Sequence, residues 1–283
     1  MTIILHNPLS KNKKSKRVTK KLVDYYKKNN RPFRVKSLLK ITDLEHYLDK
    51  KNKKNKIIIL GGDGTINTFI NNTMNITLSK EIYLKRSGSG NDFLRSLKKQ
   101  KPSTQHIMKL TYNNQPRYFI NGAGMGIDGV ISNYVNKSKR KNRFNYFLNT
   151  FKAFFSYKPK YLEATIDGTL YRFKKTWLIN VNNGAYVGGG MKLTPKSKLS
   201  ENNLDVLIVH RIPRFLLFFI FLSVYLGLHT YLKPFVFYKK ANHVHANMFS
   251  SQVAQCDGES FEDIHEITVE TTDKAVNFKL YKK

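Results

Sequence analysis

Cysteine and acidic residues are the scarce components of this 283-residue chain: Cys256 stands alone, and 19 Asp and Glu face 50 Lys and Arg. One cysteine excludes an intramolecular disulfide and any cysteine-rich zinc site, which is compatible with a reducing compartment. The shortage of acids leaves a net charge of +31. That charge points to a negatively charged partner: nucleic acid, a phosphorylated small molecule or an anionic membrane surface. Lysine spread over a solvated surface is the competing cause. Long apolar runs are also missing. The longest, Phe215 to Leu228, falls short of the roughly 20 residues that span a bilayer, so it reads as a core helix or one lying on a surface. Met1 to His6 is apolar with its basic residues behind it, the wrong order for a secretory signal. What the chain does have is 41% hydrophobic and 13% aromatic residues, which excludes a disordered basic tail.

The first third alternates between short apolar runs and helical spacing. Ile3–Leu5, Phe33 with Val35, Ile57–Leu60 and Ile82–Leu84 read as strands, the third a central parallel strand buried on both faces. Leu44, Tyr47 and Leu48 form a helical face behind a Thr42 or Asp43 cap. This pattern predicts an N-terminal open parallel α/β domain over residues 1–115. From about residue 105 short strands with turn residues between them take over. They predict a β-rich domain over 116–283 with two or three inserted helices, its last strand returning to the first domain.

Gly61-Gly62-Asp63-Gly64-Thr65 stands directly after a buried strand and before a helix. Glycines there let the backbone approach an anion, and the helix N-terminus offers N–H groups to phosphate. An acid inside such a loop reads as metal-facing or proton-handling, unless Asp63 merely caps the helix. Ser87-Gly88-Ser89-Gly90-Asn91-Asp92-Phe93 takes the same place after the next strand. Two such loops line one crevice of an open α/β sheet. Neither has the Walker or the Rossmann spacing. Asn121 to Gly129 is glycine-rich around Asp128, and reads either as a bulged strand turn or as a placement for that acid. Asp257-Gly258-Glu259 puts two carboxylates on a hairpin turn. His243 and His245 share a strand face without a third ligand, more a polar face than a metal site.

In this order and spacing the motifs resemble the diacylglycerol kinase catalytic family, which includes sphingoid-base and bacterial lipid kinases and is related in fold to NAD kinases. The resemblance runs from Asn7-Pro8 through both loops and 121–129, then Asn180 to Gly190, Leu204-Asp205-Val206, Gly227-Leu-His229 and Asp257-Gly258-Glu259. It implies an N-terminal α/β nucleotide domain and a C-terminal β-sandwich on the lipid side. It also implies ATP bound between the domains by Asn7, Gly61, Gly62, Asp63, Gly64, Thr65, Gly88, Ser89, Gly90, Asn91 and Asp92. Asp63, Asp92 and Asp128 would surround the catalytic Mg2+, and Asp257 or Glu259 would accept the proton of the lipid hydroxyl.

Four positions depart from the family pattern. Ser89 replaces a threonine, Arg86 a proline and Lys11 a glycine, and Glu201-Asn202-Asn203 stands where an Asp-Gly turn usually holds an accessory metal. Glu201 is the remaining candidate ligand there. The activity expected is transfer of the γ-phosphate of ATP to a lipid hydroxyl, diacylglycerol foremost, giving phosphatidic acid. Its place would be the cytoplasm, peripherally on the inner face of the membrane. Lys11, Lys13, Lys14, Lys16, Arg17 and the stretch Lys137 to Arg143 are basic clusters suited to an anionic surface. An NAD kinase-like enzyme is the alternative within the fold, and a basic nucleic-acid-binding protein the alternative outside it. The chain has no recognisable nucleic-acid reader module, so no nucleic acid is expected. A homodimer is compatible with a sequence that is silent on oligomeric state.

Overall fold

A computed structural model describes residues 1–8, 10, 15–52, 55–76, 81–88, 91–138 and 143–282. In chain order the first elements are β1 (Thr2–His6), α1 (Ser15–Lys28), β2 (Phe33–Ser37), α2 (Leu44–Asn52), β3 (Lys56–Gly61), α3 (Asp63–Asn71), β4 (Ile82–Arg86) and α4 (Asp92–Gln100). There follow β5 (Gln105–Tyr112), β6 (Gln115–Phe119), β7 (Gly122–Gly126), α5 (Ile127–Lys137), α6 (Arg143–Ser156), β8 (Lys160–Ile166) and β9 (Thr169–Asn182). The chain ends with β10 (Leu204–His210), α7 (Arg214–Val224), β11 (Val236–Ala241), β12 (His243–Cys256), β13 (Glu259–Val276) and β14 (Phe278–Leu280).

Two compact units divide this chain: Met1–Gln105 with Lys274–Lys283, and His106–Asp273. The expected boundary at 115/116 falls within β6, after its first residue, inside the β5–β6 hairpin. Those strands pair from Met108–Phe119 to Tyr112–Gln115, so the hairpin stays whole in the second unit.

The first unit is a parallel sheet in the order β14-β4-β3-β1-β2. Ile57, Ile58, Ile59 and Leu60 of β3 are all buried, as their unbroken apolar run requires of a strand covered on both faces. Leu22 and Tyr26 of α1 pack on Ile4, Ile58 and Leu60. Asp43 accepts the His46 backbone N–H at 2.9 Å and so caps α2. The last strand, β14, lies parallel to β4. Its Phe278 is fully buried between Phe69 of α3 and Phe93 of α4, at ring-centroid distances of 6.4 and 5.7 Å.

The second unit is antiparallel, ordered β11-β10-β9-β7-β12-β13-β5-β6. Both 14-residue strands, β9 and β12, pair with β8 along one half and with β7 along the other. That division folds the sheet over one core of Met108, Phe119, Ala123, Ile179, Val206, Ala254 and their neighbours. A second core lies under α5, α6 and α7, centred on Trp177, whose indole N–H donates to the Ile212 carbonyl at 3.0 Å. The run from Phe215 is thus a core helix on one face only.

Candidate functional site

In the first unit, the loops after β1, β3 and β4 lie at the carboxyl ends of three adjacent parallel strands, where an open α/β sheet offers its crevice. They are stitched together by backbone. The Asn7 N–H donates to the Leu60 carbonyl at 3.5 Å, and the Ser87 N–H to the Gly61 carbonyl at 3.0 Å. A Cβ on Gly88 would sit 2.5 Å from the Gly62 Cα, so the second loop rests on the first only because Gly88 lacks a side chain. Gly61 faces the Thr65 side chain just as closely, at 2.3 Å. Gly64 differs. A Cβ there meets nothing within 4 Å, and the residue is exposed in the first turn of α3. That turn presents backbone N–H groups and the positive end of the helix dipole to an incoming anion.

Asp63 is buried, and its carboxylate reaches the other loop. It accepts the backbone N–H of Asp92 at 2.7 Å and that of Phe93 at 3.3 Å, capping α4 rather than its own helix. Asp92 in turn pairs with Arg95 at 3.0 Å. Asn91 donates its side-chain amide to the Gly88 carbonyl at 3.1 Å. Ser89 and Gly90 lie outside the described residues, as do Lys11, Lys13, Lys14 and residues 139–142.

The second unit carries the other expected residues. β7 leads straight into α5, and its glycines are steric necessities. A Cβ on Gly124 would lie 2.4 Å from the Ile179 carbonyl oxygen, and one on Gly129 would lie 1.9 Å from that of Val253. This close seating leaves Asp128 half-buried, and its Oδ2 accepts from the Asn180 amide and from the Gln255 amide, the latter at 2.8 Å. Burial outweighs those two donors and pushes its carboxyl up to about 6. Asp257 and Gly258, at φ 47° and 87°, make the tight turn between β12 and β13. The Asp257 carboxylate accepts three backbone N–H groups, Ile120 at 3.1 Å, Asn121 at 2.9 Å and Gly122 at 3.1 Å. Glu259, half exposed, is paired with Arg117. Glu201 is bound by Lys240 and by Lys198 at 2.8 Å, and these with Asn203 hold its carboxyl down at about 2.

Asp63 and Asp92 therefore come together, whereas Glu201 stays in its own cluster of lysines. Among the described residues no group of three or more His, Cys, Asp or Glu could hold a metal ion. The donor set does not make an all-protein cage for a divalent cation. Magnesium seldom uses one, binding instead through one or two carboxylates and the phosphates of its substrate.

Asparagines are the residues that motif reading passed over. Asn180 and Asn182 lie two apart on β9, hence on one face, and the side-chain oxygens of Asn121, Asn180, Asn182 and Asn183 are buried without a hydrogen-bond partner. Left without a donor, each such atom would cost about 1–3 kcal/mol. The available signal was two asparagines spaced by two inside an apolar strand.

Comparison with known proteins covers both units. Residues 1–119 match the diacylglycerol kinase catalytic domain, and residues 122–277 match the YegS C-terminal NAD kinase beta sandwich-like domain. A diacylglycerol kinase of Bacillus subtilis is 28% identical over 217 residues, 72% of this chain and 70% of that protein. A Staphylococcus carnosus protein, provisionally named a lipid kinase, is 29% identical over 163 residues, and the match spans about half the length of each, 53% of this chain and 52% of that one. In fold, a diacylglycerol kinase crystal structure from Bacillus anthracis superposes with a TM-score of 0.62 at 17% identity, covering 98% of this chain and 96% of that one. The two domain matches account for nearly the whole sequence, and on them the chain belongs to the bacterial diacylglycerol and lipid kinases of the YegS family.

Proposed function

We propose that this protein transfers the γ-phosphate of ATP to the primary hydroxyl of a membrane lipid, with diacylglycerol as acceptor and phosphatidic acid as product. One observation carries the reading beyond family membership: three loops meet at the carboxyl ends of β1, β3 and β4, and Gly64, in the first turn of α3, has open space where a Cβ would stand. Phosphoryl transfer asks a protein mainly to align donor and acceptor and to neutralise phosphate charge. The α3 N-terminus answers the charge with backbone N–H groups. Asp63 holds the second loop against the first, so both loops present one rigid surface to the nucleotide. Mg2+ would arrive with the nucleotide phosphates and screen their charge, and Asp63, Asp92 and Asp128 are the carboxylates that would help to hold it.

In the second unit, Asp257 is the carboxylate we assign as proton acceptor. Its three amide donors fix the position from which it would take a proton. Glu259 is tied to Arg117 and exposed. ATP as donor and a lipid as acceptor imply work at the cytoplasmic face of a membrane. The test is an acceptor screen with γ-labelled ATP and Mg2+, offering diacylglycerol, phosphatidylglycerol, a sphingoid base and an undecaprenol in mixed micelles, with NAD beside them. Label in phosphatidic acid is the expected result. Label in NADP, or in no lipid at all, overturns the proposal.

A further inference from the structure

The second unit has an outward apolar surface that neither core uses. Along α7, Leu217, Ile220, Phe221 and Val224 face inward, while Phe215, Phe219 and Leu222 are exposed, Phe215 by 71%. Leu226, four residues beyond Leu222, is exposed by 67%. Positions 215, 219 and 222 fall on one helical face, so α7 is apolar on both sides. On α6, Phe147, Phe151 and Phe155 repeat every four residues and are exposed, with successive ring centroids 6.5 and 4.9 Å apart. Leu228, Tyr231 and Leu232, in and after a short 3-10 helix (Leu228–Tyr231), continue the exposed apolar side chains past α7. A surface of this kind marks an interaction site, because soluble proteins seldom leave large apolar patches in water.

The mounting is firm. The Arg214 guanidinium, in the first turn of α7, donates to the carbonyls at the end of α6: Phe154, Phe155 at 3.1 Å and Tyr157 at 2.9 Å. It also lies 5.1 Å from the Trp177 ring centroid. Phe154 meets Phe221 edge to face at 5.5 Å. The two helices are joined to each other and to the core beneath them, which fixes the outward faces in place.

The charge around this surface selects the partner. No Asp or Glu occurs from Gly129 to Leu162 or from Val206 to Cys256, the two segments that build it. Lys152, Lys158, Arg211, Arg214 and Lys233 are exposed cations within them. A second copy of the chain docking through the same patch would bring these cations together, and the acids Glu262 and Asp263 of β13, which line a pocket with Lys158 and Lys160, answer at most that one end of it. An anionic bilayer answers them all, and phenylalanine and leucine with flanking tyrosine, lysine and arginine are the side chains that settle at its interface. At 11 residues, α7 is roughly 16 Å long and cannot cross a hydrocarbon core of about 30 Å. It can only enter from one side.

We propose that the exposed faces of α6, α7 and the 3-10 helix insert into the interface of an anionic membrane and hold the second unit on the surface that contains its acceptor. This rests on the lipid-kinase reading for its acceptor alone. The test uses the full chain and sucrose-loaded vesicles of phosphatidylcholine with and without phosphatidylglycerol, over a salt series. Binding to the anionic vesicles should weaken with salt yet persist in part, since insertion is apolar. The triple variant Phe215→Ser, Phe219→Ser, Leu222→Ser should lose at least about tenfold in partitioning while its thermal unfolding stays unchanged, because all three side chains are exposed in water. A Phe219→Cys variant carries the only accessible thiol, Cys256 being buried, and an environment-sensitive label there should shift to the blue on vesicle addition.

Undiminished binding of the triple variant, a label that stays in water on bound protein, or a dimer in solution that the triple variant dissolves would each overturn the insertion. Phosphorylation of a water-soluble short-chain acceptor separates the two readings. Transfer without vesicle binding refutes the docking surface alone, and vesicle binding without transfer to any lipid refutes the kinase reading alone.

Discussion

Gly61 and Gly64 stand in one loop and would answer alanine in opposite ways. At Gly61 the added methyl runs into Thr65 at 2.3 Å, so Gly61→Ala should lower stability by about 1–3 kcal/mol through overpacking. At Gly64 the methyl meets open space in the first turn of a helix. Gly64→Ala should therefore leave stability equal or raise it by up to about 1 kcal/mol, and still weaken nucleotide binding by filling the place of the phosphates. Urea unfolding beside nucleotide titration of both variants checks the pair. An unchanged affinity in a stable Gly64→Ala protein would remove the phosphate from α3. Asp128 gives a second residue-scale prediction. Its carboxyl is pushed up to about 6 by burial, so the folded state holds its proton between the unfolded value near 4 and 6, and stability falls as pH rises through that window. Asp128→Asn keeps an acceptor for Asn180 and Gln255 and removes the charge. Relative to it, the natural chain should lose on the order of 3 kcal/mol between about pH 4 and 6 and nothing further above, measurable by urea unfolding across that range. The glycine loops were legible in the sequence because glycine density after a buried strand has one local meaning. The destination of Asp63 was not, because its partners at Asp92 and Phe93 lie 29 and 30 residues away.

At the scale of elements, α5 sits on the sheet through Gly129, whose missing Cβ leaves 1.9 Å to the Val253 carbonyl. Gly129→Ala should lift α5 from β12, destabilise the second unit by about 1–3 kcal/mol, and displace Asp128 from Asn180 and Gln255. Loss of amide exchange protection in α5, with β1–β3 unaffected, is the pattern to look for. The strands of the first unit could be read from their β-branched runs, and Ile57–Leu60 became the buried β3. The stretch from Gly122 resisted reading because Gly-Ala-Gly-Met-Gly has no strand propensity of its own. It is a strand only because β9 and β12 approach too closely for anything larger. For α7 the sequence leaves open both a core helix and one lying on a surface. A helix apolar all round carries no periodic signal to separate the face that packs from the face that does not.

For the whole molecule, the two units are joined by chain at Gln105–His106 and again at Asp273–Lys274, so the first is built from two separate stretches and the second is one stretch inserted between them. Removing 274–283 should unravel the first unit, because Phe278 is fully buried against Phe69 and Phe93 and its N–H donates to the Gln105 side chain at 2.6 Å. Limited proteolysis of the truncated chain should then cut within residues 1–105 and spare the second unit. The net charge of +31 belongs at this scale as well. Its placement matters more than its sum, since acid-free stretches flank the exposed aromatic faces.

The return of β14 to the edge beside β4 also sets an order of events during synthesis. The glycine loops emerge among the first residues, yet the sheet that positions them lacks an edge strand until Phe278 leaves the ribosome. At about 5–20 residues per second, that interval is roughly 10–35 s. Over it the whole second unit can fold while the first waits with the β4 edge open, so the half of the chain made first is the half completed last.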